Sequence, residues 1–64
     1  MVEATMKKPV YELFKDKSGE WRWRLIAPNG EIVAVSEGYR NKQAARDTIN
    51  AIRQYALDAI VKEV

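Results

Sequence analysis

The chain has no cysteine and no histidine among its 64 residues. Disulfide cross-links and Cys/His zinc sites are therefore excluded, and so is the side chain that most often carries acid–base catalysis near neutral pH. Only two prolines and three glycines punctuate it, so its turns are few and identifiable. No run of about 18 apolar residues is present, and the opening MVEATMKK carries no apolar signal-like stretch. Neither membrane insertion nor secretion is indicated, and the expected compartment is the cytoplasm. Neither sign of charge dominates: 11 Lys and Arg are interleaved with 9 Asp and Glu, for a net charge of +2. That is the pattern of an ordinary solvated surface rather than of a phosphate-binding one.

What remains is a composition 47% hydrophobic and 31% charged, typical of a globular domain, at a length that admits one domain spanning residues 1–64. Residues 1–8 read as a loosely ordered tail. A chain this short buries about 60% of the surface its unfolded form exposes, so hydrophobic gain and ordering entropy nearly cancel. With disulfides and zinc unavailable, the support left is association with another subunit.

Residues 10–15 alternate loosely between apolar and polar after Pro9 and predict a first strand. "DKSG" gathers turn formers, with Gly19 suited to the left-handed position that closes a type I turn on a bulge. Residues 21–27 form a second strand. "PNGE" places Asn29-Gly30 between two β-rich runs, a strong hairpin signal, and residues 31–36 form a third strand. After "EGYR" the period becomes helical: Ala45, Ile49, Ile52 and Ala56 share one stripe, widened by Thr48 and Tyr55. Asn41 is the expected N-cap of a helix running to about residue 57. Asp58 opposes the helix macrodipole and favours a break. Residues 59–64 then read as a fourth strand, giving βββαβ; the alternative is one helix from Lys42 to the end.

The stretch "EWRWRLI" poses two readings: a nucleic-acid grip, or half of a core. Strand side chains alternate in direction, so tryptophans and arginines point opposite ways. With tight turns at Gly19 and Gly30, one face is expected to carry Phe14, Trp21, Trp23, Leu25, Ile32, Ala34 and Ser36. The other is expected to carry Tyr11, Leu13, Arg22, Arg24, Ile26, Val33 and Val35. A stacking platform flanked by phosphate contacts needs both groups on one surface, so the tryptophans are assigned to the core beneath the helix. The arginine face is open to a partner through Tyr11, Arg22 and Arg24. Its plain reading is that the arginine stems lie flat on the sheet, their heads paired with Glu12, Glu20 or Glu37.

Catalytic constellations are missing. Ser18 and Ser36 have no candidate base beside them, and three Asp and six Glu are scattered rather than clustered. "PNGE" is a turn, not a phosphate-cradling loop. The chain is therefore expected not to be an enzyme and to use no cofactor or metal.

Taken together, "YELFKDKSGEWRWRLIAPNGEIVAVSEGY" and "NKQAARDTINAIR" resemble the YegP-like family of small uncharacterised bacterial proteins. The likeness rests on K-D-x-x-G-x-W-R-W-R-L, N-G-x-I and S-E-G-Y, and covers about residues 10–52. The resemblance implies an α+β fold built of βββαβ units, with an antiparallel sheet and one helix packed on one face. It also implies that two units form one continuous sheet and exchange their C-terminal strands. No activity is attached to the family. For a single-copy chain the expected exchange residues are Ile60, Val61 and Val64, and the expected partner is the chain itself. A short Leu57-Asp58-Ala59 connection, with little chain for turning back, points the same way.

Three functions follow as expectations. The first is a non-enzymatic homodimeric structural or interaction module. The second is weak nucleic-acid binding through a basic patch of Arg22, Arg24, Lys15 and Arg40. The third is a small-molecule site at the dimer interface.

Overall fold

Two turns of the same construction shape the sheet. In each, a residue at positive φ, Gly19 at 90° and Gly30 at 91°, follows a turn whose ends are hydrogen-bonded. Gly19 N donates to Asp16 O at 3.0 Å, and Gly30 N donates to Ala27 O at 2.8 Å. Only glycine holds that conformation cheaply, which is why these turns fall at "KSG" and "PNG". Around them lie β1 (Val10–Lys15), β2 (Trp21–Ile26) and β3 (Ile32–Val35), antiparallel in the order β1-β2-β3, followed by α1 (Lys42–Asp58). The computed structural model describes residues 7–64. Residues 1–6 of the expected tail lie outside the described residues, whereas Lys7 and Lys8 are exposed.

The register of the first hairpin differs from the expected one. Asp16 N donates to Glu20 O at 2.8 Å, so the bulge at Gly19 absorbs one residue. Leu13 then lies opposite Trp23, Tyr11 opposite Leu25 and Phe14 opposite Arg22. One residue of shift moves every side chain of a strand to the other face. Tyr11 and Leu13 therefore join the tryptophans, while Phe14 joins the arginines, the reverse of the expectation. A second irregularity between Leu25 and Ile26 pairs Ile26 with Ile32, placing Ile32 on the arginine face as well. The separation of tryptophan from arginine within β2 stands.

The third strand is shorter than expected. At Ser36 a side chain takes over half of the ladder pair: Ser36 N still donates to Trp23 O at 2.9 Å, but Trp23 N donates to Ser36 Oγ at 2.9 Å, and that hydroxyl donates to Glu37 O at 2.7 Å. Pairing resumes at one isolated bridge between Trp21 and Tyr39.

Asn41 caps α1, its side-chain oxygen accepting from Ala44 N at 2.8 Å. The helix rests on β1 and β2 and leaves β3 uncovered. Ala45 is fully buried, and Thr48, Ile49 and Ile52 are half-buried, but every residue from 53 onward is exposed. The expected stripe thus loses Tyr55 and Ala56 to solvent. A 17-residue helix is about 25 Å long, against about 20 Å for a six-residue strand, so its last turns overrun the sheet.

The helix stops at Asp58, and Ala59 is extended (φ −67°, ψ 136°), which overturns the alternative of a helix to the end. The expected fourth strand at residues 59–64 is also absent from the single copy, because these residues pair with no strand of their own chain. Ladder formation needs a sheet edge alongside, and a helix that overshoots the sheet carries the segment away from its own.

Candidate interaction surface

On the face of the sheet away from α1, both guanidinium groups of β2 are engaged. Arg22 Nε donates to Asp16 Oδ2 at 2.6 Å, and Arg22 Nη1 donates to Ser36 O at 3.0 Å, tying the first turn to the end of β3. Arg24 Nε donates to Glu12 Oε1 at 2.7 Å while its guanidinium lies 4.5 Å from the centroid of the Phe14 ring. Arg24 thus lies over Phe14 and pairs with Glu12, whereas Arg22 chooses Asp16 rather than Glu20 or Glu37, and the β-branched Ile32, Val33 and Val35 stay more than half exposed. A phosphate-binding surface needs cations whose charge is unspent. These two are neutralised by adjacent carboxylates, so the basic patch loses its centre; of its other members, Lys15 lies 5.8 Å from the Trp21 ring and Arg40 is exposed.

Tyr11 does not belong to that face. Its ring meets Trp23 edge-on, 5.4 Å between centroids at 78°, on the helix side of the sheet. Trp23 is 4% exposed, and its indole N–H has no acceptor among the described residues. Trp21 is half-buried between two cations, Lys15 and Lys42.

Asp16 organises the first turn. Its Oδ1 accepts from Ser18 N, Ser18 Oγ and Glu20 N at 2.8–2.9 Å. Those bonds, led by the one from Arg22, hold the Asp16 carboxyl well below the usual carboxylate range. A depressed folded-state pKa contributes stability above the unfolded value near 4, and that contribution fades as pH falls through the acid range. Wild type is therefore expected to melt above the Asp16→Asn variant at pH 7, with the gap closing as pH falls below about 4. Paired thermal melts from pH 7 to pH 2 check this; a gap that widens on acidification refutes it.

Neither serine is poised as a nucleophile: Ser18 donates into the Asp16 turn and Ser36 into the backbone of Glu37. No group of three or more His, Cys, Asp or Glu side chains that could hold a metal ion occurs among the described residues. No helix among them is long and apolar enough to cross a membrane.

The surfaces that stand incomplete are of three kinds. The first is residues 57–64, where Leu57, Ile60, Val61 and Val64 are 86%, 85%, 99% and 109% exposed. The second is β3, with Ile32, Val33 and Val35 each more than half exposed. The third is a groove of about 760 Å³ along the free edge of β1, open on one side. Tyr11, Leu13, Leu25 and Ile49 give it an apolar floor, and Lys8, Arg46, Asn50 and Arg53 stand at its rim. Neither Arg46 nor Arg53 forms an ion pair among the described residues. This groove is not among the surfaces expected from the sequence. Its signal was available in the seven-residue spacing of Arg46 and Arg53, which puts both on one helix face.

Comparison with known proteins places the architecture. A family model described as "Domain of unknown function (DUF1508)" matches residues 16–63. A UPF0339 protein of Treponema denticola is 46% identical over 54 residues, covering 84% of this chain and 93% of that protein. One from Neisseria meningitidis serogroup B is 43% identical over 54 residues, covering 84% and 96%. The NMR solution structure of a protein from Haloferax volcanii superposes with a TM-score of 0.80 at 42% identity, covering 92% of this chain and all of that one.

Proposed function

This chain belongs to the DUF1508 family of domains of unknown function, and from that premise we propose that it acts as a homodimeric, non-catalytic structural module completed by its own C-terminal segment. The YegP-like resemblance read from the sequence and the UPF0339 relatives agree on the family and attach no activity to it.

One observation carries the proposal. Among the described residues only Trp23 and Ala45 are buried, while nine large apolar side chains stand exposed, four of them in residues 57–64. A core that small does not offset the conformational entropy of ordering the chain, which costs about 1–2 kcal/mol per residue for the backbone alone. The apolar material needed is present but lies on a segment with no place in its own copy. A twofold pair lets each chain supply that segment to the other, closing both cores with one reciprocal contact. The arginine face, held flat by its own carboxylates, then serves as the outer skin of the paired sheet. The reading is tested by the molar mass of the folded chain in solution, which it sets at twice that of one copy.

A further inference from the structure

We infer that Trp21 and Tyr39, with Lys15 and Lys42, form a stacking site for single-stranded nucleic acid, in which a base lies on Trp21 and the two lysines hold the phosphates on either side of it.

Register, not sequence neighbourhood, assembles these residues. Lys15 lies directly opposite Trp21 on β1, and Tyr39 lies opposite it on the other side, where Trp21 N and Tyr39 N each donate to the other's carbonyl at 2.8 Å. Directly opposed residues of an antiparallel pair share a face, so Lys15, Trp21 and Tyr39 make one row across the end of the sheet. Both aromatics are half-buried, and both lysines are exposed. Lys42 opens α1 and brings its ammonium to 5.3 Å from the centroid of the Trp21 ring, against 5.8 Å for Lys15. No acidic residue stands in the first turn of α1, so the positive end of the helix dipole adds to the same sign of charge.

The charge of this row is unspent. Arg22 and Arg24 are paired with Asp16 and Glu12, whereas Lys15 and Lys42 form no ion pair among the described residues. Aromatic rings set among free cations are what single-strand-binding surfaces use, the rings to stack bases and the cations to follow the backbone. The alternation within β2 that turns its arginines away from its tryptophans is no obstacle here, because the cations come from β1 and α1. The plain alternative is that two ammonium groups shelter a surface indole. Exposed ammonium–ring contacts are weaker than the stacking of a base on tryptophan, and a displaced ammonium regains a charge partner at the adjoining phosphate. Cations on two sides of the ring fit a chain with phosphates on both sides of a base, whereas a free nucleotide carries its phosphate on one side. In a duplex the base faces are already stacked on one another. None of the four residues lines the β1 groove, and the site is complete within one copy, so its failure would leave the homodimer reading untouched.

Fluorescence anisotropy of a labelled oligothymidylate of about 12 nucleotides, titrated with the intact chain at low salt, tests the inference. Wild type should bind, with affinity falling as salt rises. Lys15→Gln with Lys42→Gln should flatten the slope of log affinity against log salt by about 0.7 for each lysine lost at an occupied site. Trp21→Ala should weaken binding on the order of 10-fold or more and leave that slope unchanged. Trp21→Leu, which keeps apolar bulk without a π face, should match it and serves if the alanine variant unfolds; Trp21→Phe should recover most of the affinity. Arg24→Gln should bind as wild type does. Because Trp23 is 4% exposed, quenching of the intrinsic fluorescence on binding reports stacking on Trp21. The inference is overturned by no binding at low salt, or by binding that folded Trp21→Leu leaves unchanged. Equal affinity for a duplex of the same length, for thymidine monophosphate or for polyglutamate would overturn it as well, the last by showing a surface that reads negative charge alone.

Discussion

Removing residues 60–64 is expected to abolish the fold rather than trim its edge. The deleted stretch holds Ile60, Val61 and Val64, which one copy leaves almost wholly in solvent. In a single chain such residues contribute nothing, and their loss would be silent. Buried against a second copy, each contributes about 1.5–3 kcal/mol. Natural domains are stable by about 0.05–0.15 kcal/mol per residue, or about 3–10 kcal/mol for a chain of this size. Three buried side chains thus approach the entire stability, and in a reciprocal dimer every copy loses its share. The truncated chain should show an unfolded far-ultraviolet circular dichroism spectrum at 25 °C and the mass of one copy. A cooperatively melting, folded truncation product would mean that the segment is dispensable and that the exposed apolar surface has another explanation.

Trp23→Ala should be comparably severe, for a different reason. Trp23 is 4% exposed at the centre of β2, opposite Leu13, with Tyr11 against it edge-on. Truncating a buried aromatic to alanine costs about 3–5 kcal/mol, the cavity included. That equals or exceeds the lower end of the expected total, so little folded chain should remain. Trp21→Ala is the internal control. Trp21 is half-buried, and its main specific contacts are the ammonium groups of Lys15 and Lys42 at 5.8 and 5.3 Å from the ring. Exposed contacts of that kind are worth about 0.5–1 kcal/mol each, so the Trp21 variant should still fold. Urea titrations of the two variants measure the difference. Equal losses would contradict the placement of Trp23 in the core and Trp21 at its margin.

Much of this architecture is legible in the sequence because its signals are local. "DKSG" and "PNGE" declare their turns, Asn41 declares its cap, and the alternation of "WRWR" separates indoles from guanidiniums wherever the strand sits. Register is less legible, because it depends on counting through a turn. The bulge at Gly19 takes up one residue, and that single residue exchanged Phe14 for Tyr11 and Leu13 between the faces. Tyr11 thereby left the open face for the core, where no sequence pattern distinguishes it from an outward tyrosine.

The end of α1 was legible at Asp58, since a carboxylate there opposes the helix dipole. The fate of residues 59–64 was not, because a strand is defined by its partner and the partner lies outside the single chain. The pairing of Arg24 with Glu12 follows from their cross-strand position, whereas that of Arg22 with Asp16 depends on how the turn folds back. The groove under Arg46 and Arg53 emerges only when helix and sheet are docked. Their shared face is visible in the sequence, but the apolar floor comes from three different elements.

Whether the exposed apolar segment marks a surface feature of a monomer or half of a shared core is decided by the mass of the folded species. Multi-angle light scattering on the intact chain at low micromolar concentration should report about twice the 7.4 kDa of one copy, with no folded lighter species on dilution. A stable, cooperatively folded particle of 7.4 kDa would contradict it, since such a particle would hold its fold with residues 57–64 in solvent.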